Sequence, residues 1–170
     1  MNKEVAILMG SDSDLNIMQE AAKTLEEFGI EYYIDVISAH RTPQRAMEFS
    51  KNAHKKGYRV IIAAAGLAAH LAGSIAAHTP LPVIGVPIAG GALNGVDSLY
   101  STVMMPPGIP VATVAVNGAR NAGLLAIQIL AVGDRKLMQR FLAFKKDMEQ
   151  KIIEKSDKLQ KEGYKGYLGK

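Results

Sequence analysis

The stretch "VAILMGSDSDLNIMQEAAKTLEEFG", Val5 to Gly29, decides the fold. Its first five residues are apolar without alternation, as in a strand buried on both faces. Gly10 turns the chain and a short polar loop follows. Apolar residues then return at Leu15, Met18, Ala21, Ala22, Leu25 and Phe28. That spacing is a helical stripe, and Gly29 stops it. Strand, tight loop and helix in this order form the first half of a parallel crossover unit.

The same beat repeats outward. "YYIDVI" (32–37) is a second strand. A helix over 42–57 follows, with Thr42 as N-cap and Pro43 in its first turn. "RVIIAAAG" (59–66), "PVIGV" (82–86) and "PVATVAV" (110–116) are the third, fourth and fifth strands, separated by helices over 69–78 and 95–103. A helix over 119–133 and a long polar helix over about 134–161 close the chain. Apolar strands that alternate with helices predict a single α/β domain of three layers, α/β/α. The expected sheet has five parallel strands in the flavodoxin-like order 2-1-3-4-5, with right-handed crossovers. Residues 1–133 make up its body. Residues 134–170 add the C-terminal helix and tail, taken as part of the same domain. That helix carries an apolar stripe at Leu137, Phe141, Leu142, Phe144, Met148, Ile152, Ile153 and Leu159. A neighbouring subunit is expected to cover it.

Composition narrows the function. The absence of cysteine excludes a disulfide framework, thiolate chemistry and the usual zinc ligands. Residues 1–139 hold 11 Lys/Arg against 11 Asp/Glu, and residues 140–170 hold 9 against 5, so the net +4 lies in the tail. Mixed signs and few aromatics there read as a solvated helix, not a nucleic-acid surface. The N-terminus does not read as a signal peptide, and no run approaches the roughly 18 apolar residues of a membrane span. A cytoplasmic protein with no membrane and no nucleic-acid partner is expected.

In a sheet of this order, ligands bind beyond the strand carboxyl ends where the winding reverses. Three loops meet there: "GSDSD" (10–14), "SAHRT" (38–42) and "AGLAAH" (65–70). Gly10 permits the tight turn, a helix N-terminus suits a phosphate, and Ser11 and Ser13 add hydroxyls. Asp14 could accept bonds from ribose hydroxyls, although Ser13 or Asp14 could equally be a plain helix cap. Arg41 can fork two bonds to an anion, with Ser38 beside it, and His40 can pass a proton near neutrality. Gly66 and its small neighbours let a flat ligand approach, with His70 among apolar residues. His54 and His78 lie at helix ends and take structural roles. "GVPIAGGALNGVDSL" (85–99) follows the fourth strand and could wall the same cleft. No Ser-His-Asp trio, metal-ligand spacing, P-loop or dinucleotide fingerprint is present. The residues themselves predict a phosphorylated, ribose-bearing small molecule handled by one or two histidines without metal.

"MGSDSD", "SAHRTP", "AAHLAG", "GVP", "LNGVDSLYS", "MPPGIPVATVAV" and "NAGLLAIQIL" occur in the order seen in the 5-(carboxyamino)imidazole ribonucleotide mutase family, which the chain resembles from about residue 4 to residue 150. The resemblance implies a purine-biosynthesis isomerase that moves a carboxylate from the exocyclic nitrogen to ring carbon 4 of an aminoimidazole ribonucleotide. The implied route is decarboxylation and recarboxylation, with carbon dioxide enclosed and no cofactor. It implies His40 as the catalytic group and Ser11, Asp14 and Arg41 as substrate-binding positions. Arg41 with Ser13 and Ser38 then takes the phosphate, Asp14 the ribose, and Gly66 and His70 the base pocket. It also implies a homo-octamer. Two departures stand out: Leu67 and Ala72 occupy positions that are commonly Gly and Pro in the family. A related class carboxylates aminoimidazole ribonucleotide directly with carbon dioxide and tends to show SAHKT without the AAHL histidine, so Arg41 and His70 favour the mutase. A third alternative is a flavodoxin-like nucleotide-binding module without activity, which would want stacking aromatics that these loops lack.

Overall fold

The computed structural model describes residues 3–169. Five strands, β1 (Val5–Met9), β2 (Tyr32–Val36), β3 (Val60–Gly66), β4 (Val83–Ile88) and β5 (Ala112–Thr113), form one parallel sheet in the order β2-β1-β3-β4-β5. The helices are α1 (Leu15–Glu27), α2 (Pro43–Ala53), α3 (Leu71–Ala76), α4 (Val96–Val103), α5 (Ala119–Ala131) and α6 (Arg135–Tyr167). The chain divides into two compact units, one ending at Leu130 and one beginning at Ala131.

In the first unit the three central strands are buried on both faces, which is why their sequences are apolar without alternation. Ala6, Leu8, Ile61 and Ala63 point to one face and join Ala46, Phe49, Leu71 and Ile75 of α2 and α3 in a single core cluster. The other face takes α1 and α5, which approach so closely that a Cβ at Gly123 would lie 2.9 Å from Thr24 Cβ. β2 is an edge strand, and Ile34 and Val36 remain partly exposed.

Two local expectations needed correction. The fifth strand has two paired residues instead of seven. Gly85 and Pro87 both turn their carbonyls toward it, accepting from Val114 N and Asn117 N. Pro87 has no N–H to give in return, so the regular ladder stops there. A 3-10 turn over Asp12–Asp14 leads into α1. Thr42 does not cap α2 with its side chain. Its hydroxyl turns back, accepting from Ser38 N (3.1 Å) and donating to Ser38 O (2.9 Å), which pins the loop after β2.

In the second unit, Asp134 caps α6 by accepting from the N–H groups of Lys136 and Leu137. Gly163, at φ +65°, interrupts the helix and lets the last turn fold back, with Lys158 Nζ 5.5 Å from the Tyr167 ring. Of the apolar stripe, Leu137 and Phe141 are buried, whereas Leu142, Met148, Ile152, Ile153 and Leu159 are exposed. Among the described residues no helix is long and apolar enough to cross a membrane.

Candidate active site

A cleft of about 620 Å³ opens at the carboxyl ends of β1, β2, β3 and β4. That volume suits a mononucleotide-sized ligand. Gly10, Ser11, Ser13, Asp14, Ser38, His40, Arg41, Gly66 and His70 all line it. The topological switch point explains the convergence, since β1 and β3 are neighbours whose chains leave in opposite directions.

The first loop is held by its own hydroxyls. Ser11, in extended conformation, accepts from Ser13 N (3.3 Å) and from Ser13 Oγ (2.9 Å). It is therefore Ser11, not Ser13 or Asp14, that caps the first turn. Asp14 makes no side-chain cap bond to α1. Its side chain is buried, and burial pushes its carboxyl above the ordinary carboxylate range. Hydrogen bonds from Ser11 and Ser13 pull it down in part, Asp12 raises it and Arg41 lowers it.

The second loop reaches across to the first. Arg41 Nη2 donates to Gly10 O at 2.8 Å, and Arg41 Nε donates to Ser38 Oγ at 3.4 Å. Ser38 Oγ also accepts from Arg41 N. The guanidinium is thus tied between two strand exits with its charge on the cleft wall.

His40 and His70 stand ring to ring, with centroids 5.0 Å apart and planes 36° from each other. Both residues are exposed. The pair separates the main cleft from a second recess, which Ser74, His78, Ser101 and Met105 also line. His78 Nδ1 lies 2.8 Å from Ser74 O, a helix-end contact. Among the described residues no three His, Asp or Glu side chains cluster as metal ligands.

Sequence reasoning anticipated a wall from the segment after β4, and Ile88, Ala89, Gly90 and Gly91 supply it. It missed the residue that fixes that wall. Asn117, at φ +59°, accepts from Ala89 N through its side-chain oxygen at 2.9 Å. The "NG" at Asn117–Gly118 was the available signal, because asparagine tolerates the left-handed region.

A doubly wound sheet whose switch-point cleft carries paired imidazoles and an anchored guanidinium defines a class, the nucleotide-handling α/β enzymes. Residues 4–151 match the family described as AIR carboxylase, and the chain belongs to that family. It is 54% identical over 164 residues to the N5-carboxyaminoimidazole ribonucleotide mutase of Thermotoga maritima, covering 96% of each chain. It is 56% identical over 164 residues to the mutase of that name from Pyrococcus horikoshii, covering 96% of this chain and 93% of the relative. Among solved structures, Treponema denticola PurE superposes with a TM-score of 0.84 at 33% identity, covering 91% of this chain and 97% of that one.

Proposed function

We infer that this chain is the isomerase of purine biosynthesis that converts N5-carboxyaminoimidazole ribonucleotide into 4-carboxy-5-aminoimidazole ribonucleotide. One observation carries the reading: the two imidazoles, a tethered guanidinium and the hydroxyls of Ser11, Ser13 and Ser38 share a single cleft. Near-full-length identity to relatives named as this mutase supports the same reaction.

In the chemistry proposed, Arg41 with Ser13 and Ser38 holds the phosphate, and Asp14 accepts from the ribose hydroxyls. Gly10 and Ser11 shape the turn beneath them. The base lies toward Gly66 and His70, within reach of His40. The N–C bond to the carboxylate breaks, carbon dioxide departs, and the bond's electron pair stays on nitrogen and takes a proton from His40. Ring carbon 4, made electron-rich by the amine, then attacks carbon dioxide. The proton displaced from that carbon returns to His40. One imidazole serves both steps because the isomerisation has no net proton change. The exposed apolar residues of α6 support a homo-oligomer, which we read as an octamer acting in the cytoplasm.

The test is to supply the carboxyamino ribonucleotide without ATP and follow the ring-carboxylated product. Rapid turnover is expected, and use of only aminoimidazole ribonucleotide, at high bicarbonate, would instead mark a direct carboxylase. His40→Asn is expected to lower kcat by at least about 10²–10⁴-fold while ribonucleotide binding persists. A fully active variant would remove His40 from proton transfer.

A further inference from the structure

We propose that Thr42 is a positioning residue, whose hydroxyl holds the loop after β2 in the form that aims the His40 imidazole into the cleft. The proposal rests on the reaction inferred above. The loop runs from Ser38 to Thr42, and every residue but one is held in place. Ala39 is buried in the core cluster with α2 and α3. Ser38 Oγ accepts from Arg41 N at 3.1 Å, and Arg41 Nη2 reaches across to Gly10 O at 2.8 Å. Thr42 bonds Ser38 three times. Its N–H donates to Ser38 O at 2.8 Å, its hydroxyl donates to the same oxygen at 2.9 Å, and that hydroxyl accepts from Ser38 N at 3.1 Å. His40 is the exception. Among the described residues no hydrogen bond or ion pair holds its exposed ring, which meets the ring of His70 with centroids 5.0 Å apart.

A proton-transferring imidazole is ordinarily oriented by a partner on its second nitrogen. Without one, the direction of His40 is set by its main chain, and so by what fixes Ser38 and Thr42 on either side of it. The backbone bond from Thr42 N to Ser38 O would by itself act as a hinge. The hydroxyl engages both the carbonyl and the amide of Ser38, so the turn cannot swing about a single contact. Thr42 forgoes another use of that hydroxyl. It occupies the N-cap position of α2, where a threonine ordinarily accepts from the first turn of the helix, and it makes no such bond. Pro43 behind it disfavours helical backbone at Thr42, which stands at φ −134° and ψ 55°. The two neighbours on the loop depend on this clasp unequally. Arg41 has its own tie to Gly10 O, whereas the His40 ring has none. Loss of the hydroxyl therefore reaches proton transfer and spares anion binding.

The test separates those two effects. Thr42→Val keeps the shape of the side chain and removes both hydroxyl bonds, whereas Thr42→Ser keeps the hydroxyl. Thr42 is exposed, so neither change opens a cavity in the core. Thr42→Val is expected to lower kcat at least about tenfold, as a misplaced catalytic group does. Its calorimetric affinity for the ring-carboxylated product is expected to stay at the parent's value. Thr42→Ser is expected to keep most of the parent's kcat. In a His40→Asn background, Thr42→Val is expected to leave the residual turnover unmoved, because Thr42 acts through the imidazole. An unchanged kcat in Thr42→Val overturns the proposal. So does Thr42→Ser as slow as Thr42→Val, a loss of product affinity that matches the loss of kcat, or a further loss in the His40→Asn background. A parent that forms no ring-carboxylated product removes the reaction itself; an active parent whose kcat is indifferent to Thr42→Val removes only the part given to Thr42.

Discussion

Arg41 commits two of its N–H groups inside the protein, to Gly10 O and to Ser38 Oγ. The plane of its fork is therefore set before any anion arrives, which lowers the ordering cost of binding. Arg41→Ala is expected to weaken ribonucleotide binding about tenfold to a hundredfold, the range for a lost charge-assisted bond. Calorimetry with the ring-carboxylated product checks this, and unchanged affinity would count against the phosphate role. Asp14 makes the opposite trade. Its carboxyl is raised in the fold, chiefly by burial. A raised folded pKa gives a contribution to stability that is complete below the unfolded value, about 3.9, and lost as pH rises through the folded one. Ionised Asp14 therefore opposes folding at neutral pH. Asp14→Asn is expected to raise the thermal midpoint at pH 7, with the gain shrinking toward about pH 4, while ribonucleotide binding weakens. A midpoint unchanged across that range would mean the carboxyl is not held against its solvation. The residue types at the strand exits were legible in the sequence. Their partners were not, because Arg41 and Gly10 are 31 residues apart and Asn117 and Ala89 are 28 apart.

At the scale of elements, strand identity and order followed from apolar runs and from the crossover rule, since both depend on local pattern. What local pattern could not supply was where elements crowd. Gly85 sits in the middle of β4, and a Cβ there would collide with Thr102 Cγ2 and come within 2.9 Å of Val111 Cγ1. Thr102 cannot rotate away freely, because its hydroxyl donates to Ser98 O at 2.7 Å. Gly85→Ala is thus expected to cost about 1–3 kcal/mol through overpacking. A lower urea midpoint at constant slope would show it, and an unchanged midpoint would mean that α4 shifts at no cost. The length of β5 was misjudged for a similar reason. Its own sequence reads as a seven-residue strand, and the missing donor lies on its neighbour at Pro87.

At the scale of the whole molecule, α6 carries exposed Ile152 and Ile153 within its apolar stripe, on a helix rich in charged residues. Replacing both with Glu is expected to reduce the solution mass measured by light scattering, if copies of this chain associate through that stripe. An unchanged mass would mean that copies of this chain do not associate through that stripe. The sheet itself offers little to a second chain. On one side, β5 presents only two paired residues. On the other, the amide of Val36 in β2 already donates to Asp35 Oδ1 at 2.8 Å. Long strands with free edge amides act as templates on which foreign strands add without limit. With two paired residues in β5 and the Val36 amide of β2 already engaged, this sheet offers an added strand a short edge on one side and an interrupted one on the other.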